Sequence, residues 1–272
     1  MRIASVNVNG IRAAYKRGMG SWLDDRRPEV LLLQEVRATD EILENHLGHE
    51  WTTAHHASDF KGRAGVAVAS RLPARAVRVG LGNGVPEAAV DTGRWVEMDL
   101  DAPGSDRPLT AVSVYLHSGT AGTEKMDLKY AHLEKVTARL SELARQAAAG
   151  ERDVIVGGDV NVAHREPDIK NWKGNYNKNS GALDGEIAYL DRWFDDLGWV
   201  DVGRRLGGDG PGPFTWWSWR GKAFDNDAGW RIDYQLATPE LAARATSAVV
   251  DRAPAYDQRF SDHAPVVVDY QI

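Results

Sequence analysis

The sequence predicts an α/β protein in which two β-sheets pack face to face with helices outside, in one domain covering residues 1–272. Three observations carry this. Short, nearly continuous apolar runs recur along the chain, as in strands covered on both faces. Two longer stretches repeat apolar residues at helical spacing. No internal repeat, low-complexity tract or linker rich in Pro, Gly or Ser divides the chain.

The first run, Arg2–Val8, alternates weakly and ends in Asn9-Gly10, a strand entering a turn. Pro28–Glu35 is a covered strand, and similar runs follow at Gly65–Ala69, Trp95–Leu100, Leu109–Tyr115, Val154–Gly157, Arg231–Ala237 and Pro265–Tyr270. From Thr123 to Ala149 the residues Met126, Leu133, Val136, Leu140 and Leu143 fall at spacings of seven, three, four and three, one face of a helix that Gly150 stops. A second helix covers Glu186–Leu197, with Ile187, Leu190, Phe194 and Leu197 on one face. Weaker helical patterns lie near 11–25 and 39–47. The cluster Gly207–Pro213 is a surface loop.

Composition removes several classes of function. No run approaches the roughly 18 apolar residues of a membrane span, and the N-terminus lacks a signal-peptide pattern. The expectation is a soluble, cytoplasmic protein with no membrane partner. Without cysteine there is no disulfide, thiol nucleophile or thiolate zinc site, which leaves carboxylate, amide and imidazole chemistry and favours an oxygen-ligand metal. A formal charge of −6 argues against a protein that coats nucleic acid electrostatically. Residues 165–179 are locally positive, with Arg165, Lys170, Lys173 and Lys178 against Glu166 and Asp168.

Polar residues recur where apolar strands end. Asn7 lies near the end of the first strand and Glu35 closes the second. Asp159 and Asn161 follow Val154-Ile-Val-Gly-Gly, Asp233 interrupts Arg231–Leu236, and Asp262-His263 precedes Pro265-Val-Val-Val. A strand end fixes a side chain more tightly than a free loop, which suits pre-positioned chemistry. Singly, such residues are most often turn or cap residues. Their joint recurrence is the signal.

Five of these stretches resemble the motif series of the exonuclease III-type AP endonucleases: Ser5–Ala13, Leu33-Gln-Glu35, Gly157-Gly-Asp-Val-Asn-Val-Ala-His164, Gly229-Trp-Arg-Ile-Asp-Tyr234 and Ser261-Asp-His-Ala-Pro265. They come in the family's order and span nearly the whole chain. The resemblance implies a four-layer α/β/β/α sandwich, DNase I-like, with the site at one end of the paired sheets. It implies a Mg²⁺-dependent enzyme, with Mn²⁺ as a substitute ion, that cuts the phosphodiester 5′ to an abasic site and trims 3′ ends as a 3′–5′ exonuclease. The implied partner is double-stranded DNA with abasic sites or blocked 3′ ends, bound by a monomer.

By matching position, the resemblance assigns metal binding to Asn7, Asn9, Glu35, Asp159, Asn161, Asp262 and His263, and catalysis to Tyr115, Asp159, Asn161, Asp233 and His263. These types suit the reaction. A diester anion repels hydroxide, so the site has to neutralise charge, align a nucleophile and stabilise the transition-state oxygens. Glu35, helped by Asn7 or Asn9, offers the hard oxygens Mg²⁺ prefers. Asp159 orients or deprotonates water, Asn161 donates to a phosphate oxygen, and His263 backed by Asp233 presents positive charge. Tyr115 contacts the scissile phosphate. The chain departs from the family where Leu116-His117-Ser118-Gly119 stands in place of Pro and then an amide, so that contact is lost or taken over by His117. Asn9 stands where some relatives carry Asp.

Nucleases, inositol polyphosphate phosphatases and sphingomyelinases share this broad fold, so the catalytic set alone leaves the substrate open. Two stretches point to DNA. Asp168–Asn175, continuing to Asn179-Ser-Gly181, is similar to the family's loop beside the lesion, with Asn175 and Asn179 as its amides. Phe214-Thr-Trp-Trp-Ser-Trp-Arg220 with Trp230 gathers four of ten Trp, and Trp216, Trp230 and Ile232 match the family's pocket for a base-free sugar. A phosphoesterase for a lipid or inositol phosphate is the competing reading, and an inactive scaffold a third.

Overall fold

Ile3 and Ala4, successive residues of the first strand, are both fully buried but belong to different apolar clusters. A strand sends neighbours to opposite faces, so this one has to be covered on both. The computed structural model, which describes residues 1–81 and 92–272, shows how.

Its strands are β1 (Arg2–Asn7), β2 (Val30–Gln34), β3 (Thr52–His56), β4 (Val66–Ser70), β5 (Ala74–Val79), β6 (Trp95–Leu100), β7 (Leu109–Tyr115), β8 (Asp153–Asp159), β9 (Val200–Asp201), β10 (Asp233–Ala237), β11 (Ala245–Val250) and β12 (Val266–Tyr270). They form two six-stranded sheets, ordered β11-β12-β1-β2-β4-β3 and β5-β6-β7-β8-β10-β9. Between the sheets Ile3, Leu32, Val68, Met98, Ala111, Ile155 and Val268 share one core. Helices α1 (Ile11–Lys16), α2 (Met19–Arg26) and α3 (Asp40–Leu47) cover the outer face of the first sheet. Helix α4 (Glu124–Ala148), with α6 (Asp184–Asp191) after the short α5 (Trp172–Asn175), covers the second. The result is the expected four-layer sandwich.

Helix α4 follows its pattern: Leu133, Val136, Leu140 and Leu143 are buried, and Thr123 caps the start by accepting from the Lys125 N–H. The second expected helix starts earlier, at Asp184, and its last part, Arg192–Asp196, winds as a π-helix. Four strands absent from the expected set, β3, β5, β9 and β11, are the four sheet edges. An edge needs no continuous apolar run, and β5, Ala-Arg-Ala-Val-Arg-Val, is largely exposed.

Two features of the topology position the site. Each sheet contains one parallel pair, β1 with β2 and β7 with β8, joined by helical crossovers. The registers set Asn7 opposite Gln34 and Tyr115 opposite Asp159, so all four strands end together. The sheets approach closely there. A Cβ on Gly157 would lie 2.5 Å from Leu32 Cδ1, so a larger residue there would push Leu32 aside. Gln34 Nε2 donates to Ser113 Oγ at 3.0 Å, and Ser113 donates to the Leu33 carbonyl at 2.7 Å, bonding one sheet to the other. Among the described residues no helix is long and apolar enough to cross a membrane.

Candidate active site

The strand ends of both sheets meet around Asn7. Its Nδ2 donates to Glu35 Oε1 and to Asp159 Oδ2, at 2.9 Å each, while its Oδ1 accepts from the Asn9 N–H. The Ser261 hydroxyl holds the Asn7 carbonyl at 2.7 Å. Asp159 Oδ1 accepts the Asn161 N–H at 2.9 Å, and Asn161 Nδ2 donates to the Leu116 carbonyl at 3.0 Å. Antiparallel pairing sets Asp233 opposite Asp159. Asp233 binds His263 Nδ1 at 2.8 Å, which leaves His263 Nε2 3.8 Å from Asp159 Oδ2. Glu35, Asp159 and His263 are all buried and offer ligand atoms within 4.8 Å of one another.

Backbone strain gathers at the same place. Asn9, Glu35, Arg37 and Asn161 have φ of 47, 51, 51 and 55°, the left-handed region that non-glycine residues avoid. Asn tolerates it, but Glu and Arg do so only where neighbours impose it. Here Glu35 is held by Asn7 and by an ion pair with Arg37.

Buried carboxylates without enough cations hold protons. Burial pushes Asp159 up to about 8, opposed by His263 and reinforced by Asp233 and Glu35. Burial disfavours the His263 imidazolium, but Asp233, Asp159 and Asp262 outweigh it and raise the group to about 10. The Tyr115 hydroxyl is held well above its usual range by burial and then by Glu35 and Asp159. Glu35, Asp159 and His263 lie buried with their ligand atoms close together, an arrangement that can hold a metal ion. The two carboxylates and the imidazole present donors that fit a metal ion.

An aromatic wall adjoins this centre. Trp216 Nε1 donates to Asp262 Oδ2 at 3.1 Å, and the Trp216 ring stands 6.5 Å from His263 and 6.4 Å from Trp230, nearly perpendicular to the latter. Ile232 packs with both tryptophans. Asp262 also accepts from Asn9 Nδ2 at 2.8 Å, so Asn9 and Asp262 form a rim beside the buried group. The loop with Asn175 and Asn179 closes on itself, Asn179 Nδ2 donating to Asn175 Oδ1 at 2.8 Å. It reaches the centre through Gly181, where a Cβ would lie 3.0 Å from the Asn161 carbonyl oxygen and 3.1 Å from the Trp230 ring.

Against known proteins, the endonuclease/exonuclease/phosphatase family matches residues 4–263. The chain belongs to that family. An exodeoxyribonuclease of Bacillus subtilis is 30% identical over 267 residues, covering 98% of each chain. Among solved structures, an AP endonuclease from Archaeoglobus fulgidus is similar with a TM-score of 0.82 and 26% identity over the whole of both chains. A Neisseria 3′ phosphatase bound to a product DNA hairpin is similar with a TM-score of 0.80 and 26% identity, again over both whole chains.

Within this member of the endonuclease/exonuclease/phosphatase family, several residues of the site escape sequence reasoning. Arg94 lies over the Tyr115 ring at 4.7 Å, Arg37 pairs with Glu35, and Thr215 Oγ1 accepts the Ile232 and Asp233 N–H groups at 3.1 Å each. No motif marks Arg37, two positions after Glu35, while Arg94 and Thr215 act on residues brought close only by the fold. Trp217, beside the wall, is a core residue packed with Phe214 and Phe224. Asp168 is buried rather than a surface charge of its loop. Arg231 and Arg204 pair with it and it accepts the His164 and Arg165 N–H groups, which fastens that loop to the sandwich.

Proposed function

We propose that this nuclease-type hydrolase is a Mg²⁺-dependent AP endonuclease. It cuts double-stranded DNA at the phosphodiester 5′ to an abasic site, and the same centre serves 3′–5′ exonuclease and 3′-end-cleaning activity. One observation carries the reading: Trp216 touches both halves of the site, bonding Asp262 beside the catalytic group while forming the wall with Trp230. On this reading the bond would set a pocket for a base-free sugar beside a centre for phosphodiester chemistry. The names of the relatives support this, since they include an exodeoxyribonuclease, an AP endonuclease and a 3′ phosphatase bound to DNA.

Glu35 and Asp159 would hold the cation, with Asn7, Asn9 and Asp262 at its margin. Mg²⁺, or Mn²⁺ in its place, supplies Lewis-acid charge to the phosphate oxygens when bound. We assign His263 a cationic role, because Asp233 on Nδ1 stabilises the imidazolium and leaves Nε2 facing the carboxylates of the site. The Nε2 N–H donates to a non-bridging phosphate oxygen as charge develops, while Asp233 on Nδ1 fixes ring and charge. Asp159, fixed at both oxygens by Asn7 and the Asn161 N–H, orients the attacking water and takes its proton. Asn161 Nδ2 has a second hydrogen beyond the one given to Leu116, and that hydrogen is available to phosphate. The protonated Tyr115 hydroxyl donates to the same group. Trp216, Trp230 and Ile232 enclose the flipped sugar, and Asn175 and Asn179 contact the strand beside it. The enzyme works as a monomer in the compartment that holds the DNA, the cytoplasm of a bacterial cell.

The test compares three substrates in Mg²⁺: a duplex with one tetrahydrofuran abasic mimic, the matched intact duplex, and an inositol polyphosphate. The abasic duplex should be nicked fastest. Release of phosphate from the inositol polyphosphate with no nicking would assign the centre to the competing class.

A further inference from the structure

Helix α4 turns Met126 and Leu133 toward the second sheet, and the seven-residue step between them skips the position helical spacing fills at 129. Lysine occupies it, with a fully buried side chain. A buried ammonium is unfavourable unless its charge and all three hydrogens are matched. Lys129 Nζ pairs with Glu186, itself fully buried. It also donates to the Asn161 carbonyl at 2.9 Å and the Ser118 carbonyl at 3.2 Å, and lies 3.5 Å from Ser180 Oγ. Glu186 in turn accepts the Gly181 and Leu183 N–H groups at 2.7 and 3.0 Å, and the Ser180 hydroxyl at 3.1 Å.

Three segments therefore meet on one ion pair: the turn after Tyr115, the turn after Asp159, and the end of the Asn175–Asn179 loop. Asn161 is the pivotal member. Its φ of 55° lies in the left-handed region, its N–H is committed to Asp159, and its carbonyl is committed to Lys129. At Gly181 a side chain would meet that same carbonyl and the Trp230 ring, so the loop packs against both.

We infer that Lys129 and Glu186 are a positioning pair, which holds Asn161 in its left-handed conformation and locks the lesion-side loop to the catalytic strand ends. The inference rests on the phosphate role proposed above for Asn161. Neither residue touches substrate. A pair serving stability alone is replaceable by apolar side chains of similar volume without loss of rate. A positioning pair is not, since a displacement of about 1 Å in a catalytic group costs on the order of 10²-fold.

The experiment is a mutant cycle on single-turnover incision of the tetrahydrofuran duplex at saturating DNA, with thermal midpoints measured alongside. Lys129→Met/Glu186→Leu should fold, and its rate should fall about tenfold to a hundredfold. Asn161→Ala should cost about 10²-fold in the otherwise unaltered chain, but added to the pair variant it should bring the total loss to no more than about 10²-fold, because the amide is already misplaced. Should the apolar pair not fold, Lys129→Gln/Glu186→Gln takes its place, with the same non-additivity expected. A pair variant with the wild-type rate, or one on which Asn161→Ala exacts its full penalty, would overturn the inference. Asn161→Ala without effect in the unaltered chain would instead sink the phosphate role, and this inference with it.

Discussion

Asn7, at the end of one sheet, donates to Asp159, at the end of the other, with Nδ2 and Oδ2 2.9 Å apart. The same nitrogen reaches Glu35, so one amide sets the separation of two buried carboxylates. Asn7→Leu keeps the volume and removes both bonds. The half-saturating Mg²⁺ concentration should rise and kcat/KM should fall, by about tenfold to a hundredfold. A metal titration of activity checks this, and an unchanged curve would show that the amide does not set the spacing.

Asp159→Asn removes basicity and a charge that repels phosphate, with little change of shape. Turnover should drop by about 10²–10⁴ while DNA binding stays intact or tightens. His263→Ala should lose turnover on the same scale by removing the buried cation. Retention of more than about a tenth of the wild-type rate by either variant would refute its assigned role.

The protonation of the centre makes stability depend on pH in a stated direction. Asp159, raised from 3.8 to about 8, and His263, raised from 6.5 to about 10, hold protons in the folded metal-free protein that the unfolded chain releases. A raised folded pKa gives stability that is complete below the unfolded value and is lost as pH climbs to the folded one. His132 acts oppositely: burial and then His117 hold it well below 6.5, so its contribution is lost only as pH falls below that value. Between about pH 6.5 and 8.5 the thermal midpoint of the metal-free protein should fall with rising pH. Mg²⁺ should protect more at the upper end, because it replaces the protons. Asp159→Asn should flatten the slope, and a flat wild-type profile would contradict the assigned charges.

What could be read in advance follows from where the information lies. Leu31–Leu33 and Val154–Val156 are covered on both faces, so their apolar runs declare them. Thr52–His56 and Ala74–Val79 are edges, each paired on one side only with the strand that follows it, and neither carries a continuous apolar run to mark it. At the site, Asn7, Glu35, Asp159, Asp233 and His263 stand at strand ends or within motifs and were legible as a set. Arg94 and Thr215 were not, because each serves a residue that only folding brings near, and Arg37 was not, because a single charge two positions after Glu35 forms no motif. Lys129 lies between these cases: the skipped position on the α4 apolar face marks it, but its partners come from three other segments.

If the tryptophan wall sets lesion selectivity, as proposed, the bond from Trp216 to Asp262 divides the prediction in two. Trp230→Ala enlarges the pocket alone. Abasic incision should fall about tenfold to a hundredfold, from a loss of order 1–3 kcal/mol of apolar and stacking contact, while exonuclease activity falls less or rises. Trp216→Ala should do the same and also weaken metal dependence, by freeing Asp262. Trp216→Phe should retain selectivity and show only the change in metal dependence. A constant ratio of the two activities in the alanine variants, with both rates reduced, would signal damage to the core and remove the pocket assignment.

The central claim, that a metal-loaded carboxylate centre cuts beside an abasic sugar, is tested most directly by mapping incision at nucleotide resolution. An end-labelled duplex with one tetrahydrofuran residue is incubated with the protein in Mg²⁺ and in EDTA. One cut, immediately 5′ to the lesion and leaving a 3′ hydroxyl, should form in Mg²⁺ and disappear in EDTA. Incision that persists in EDTA, or a lesion-bearing strand left whole in Mg²⁺, would contradict the claim.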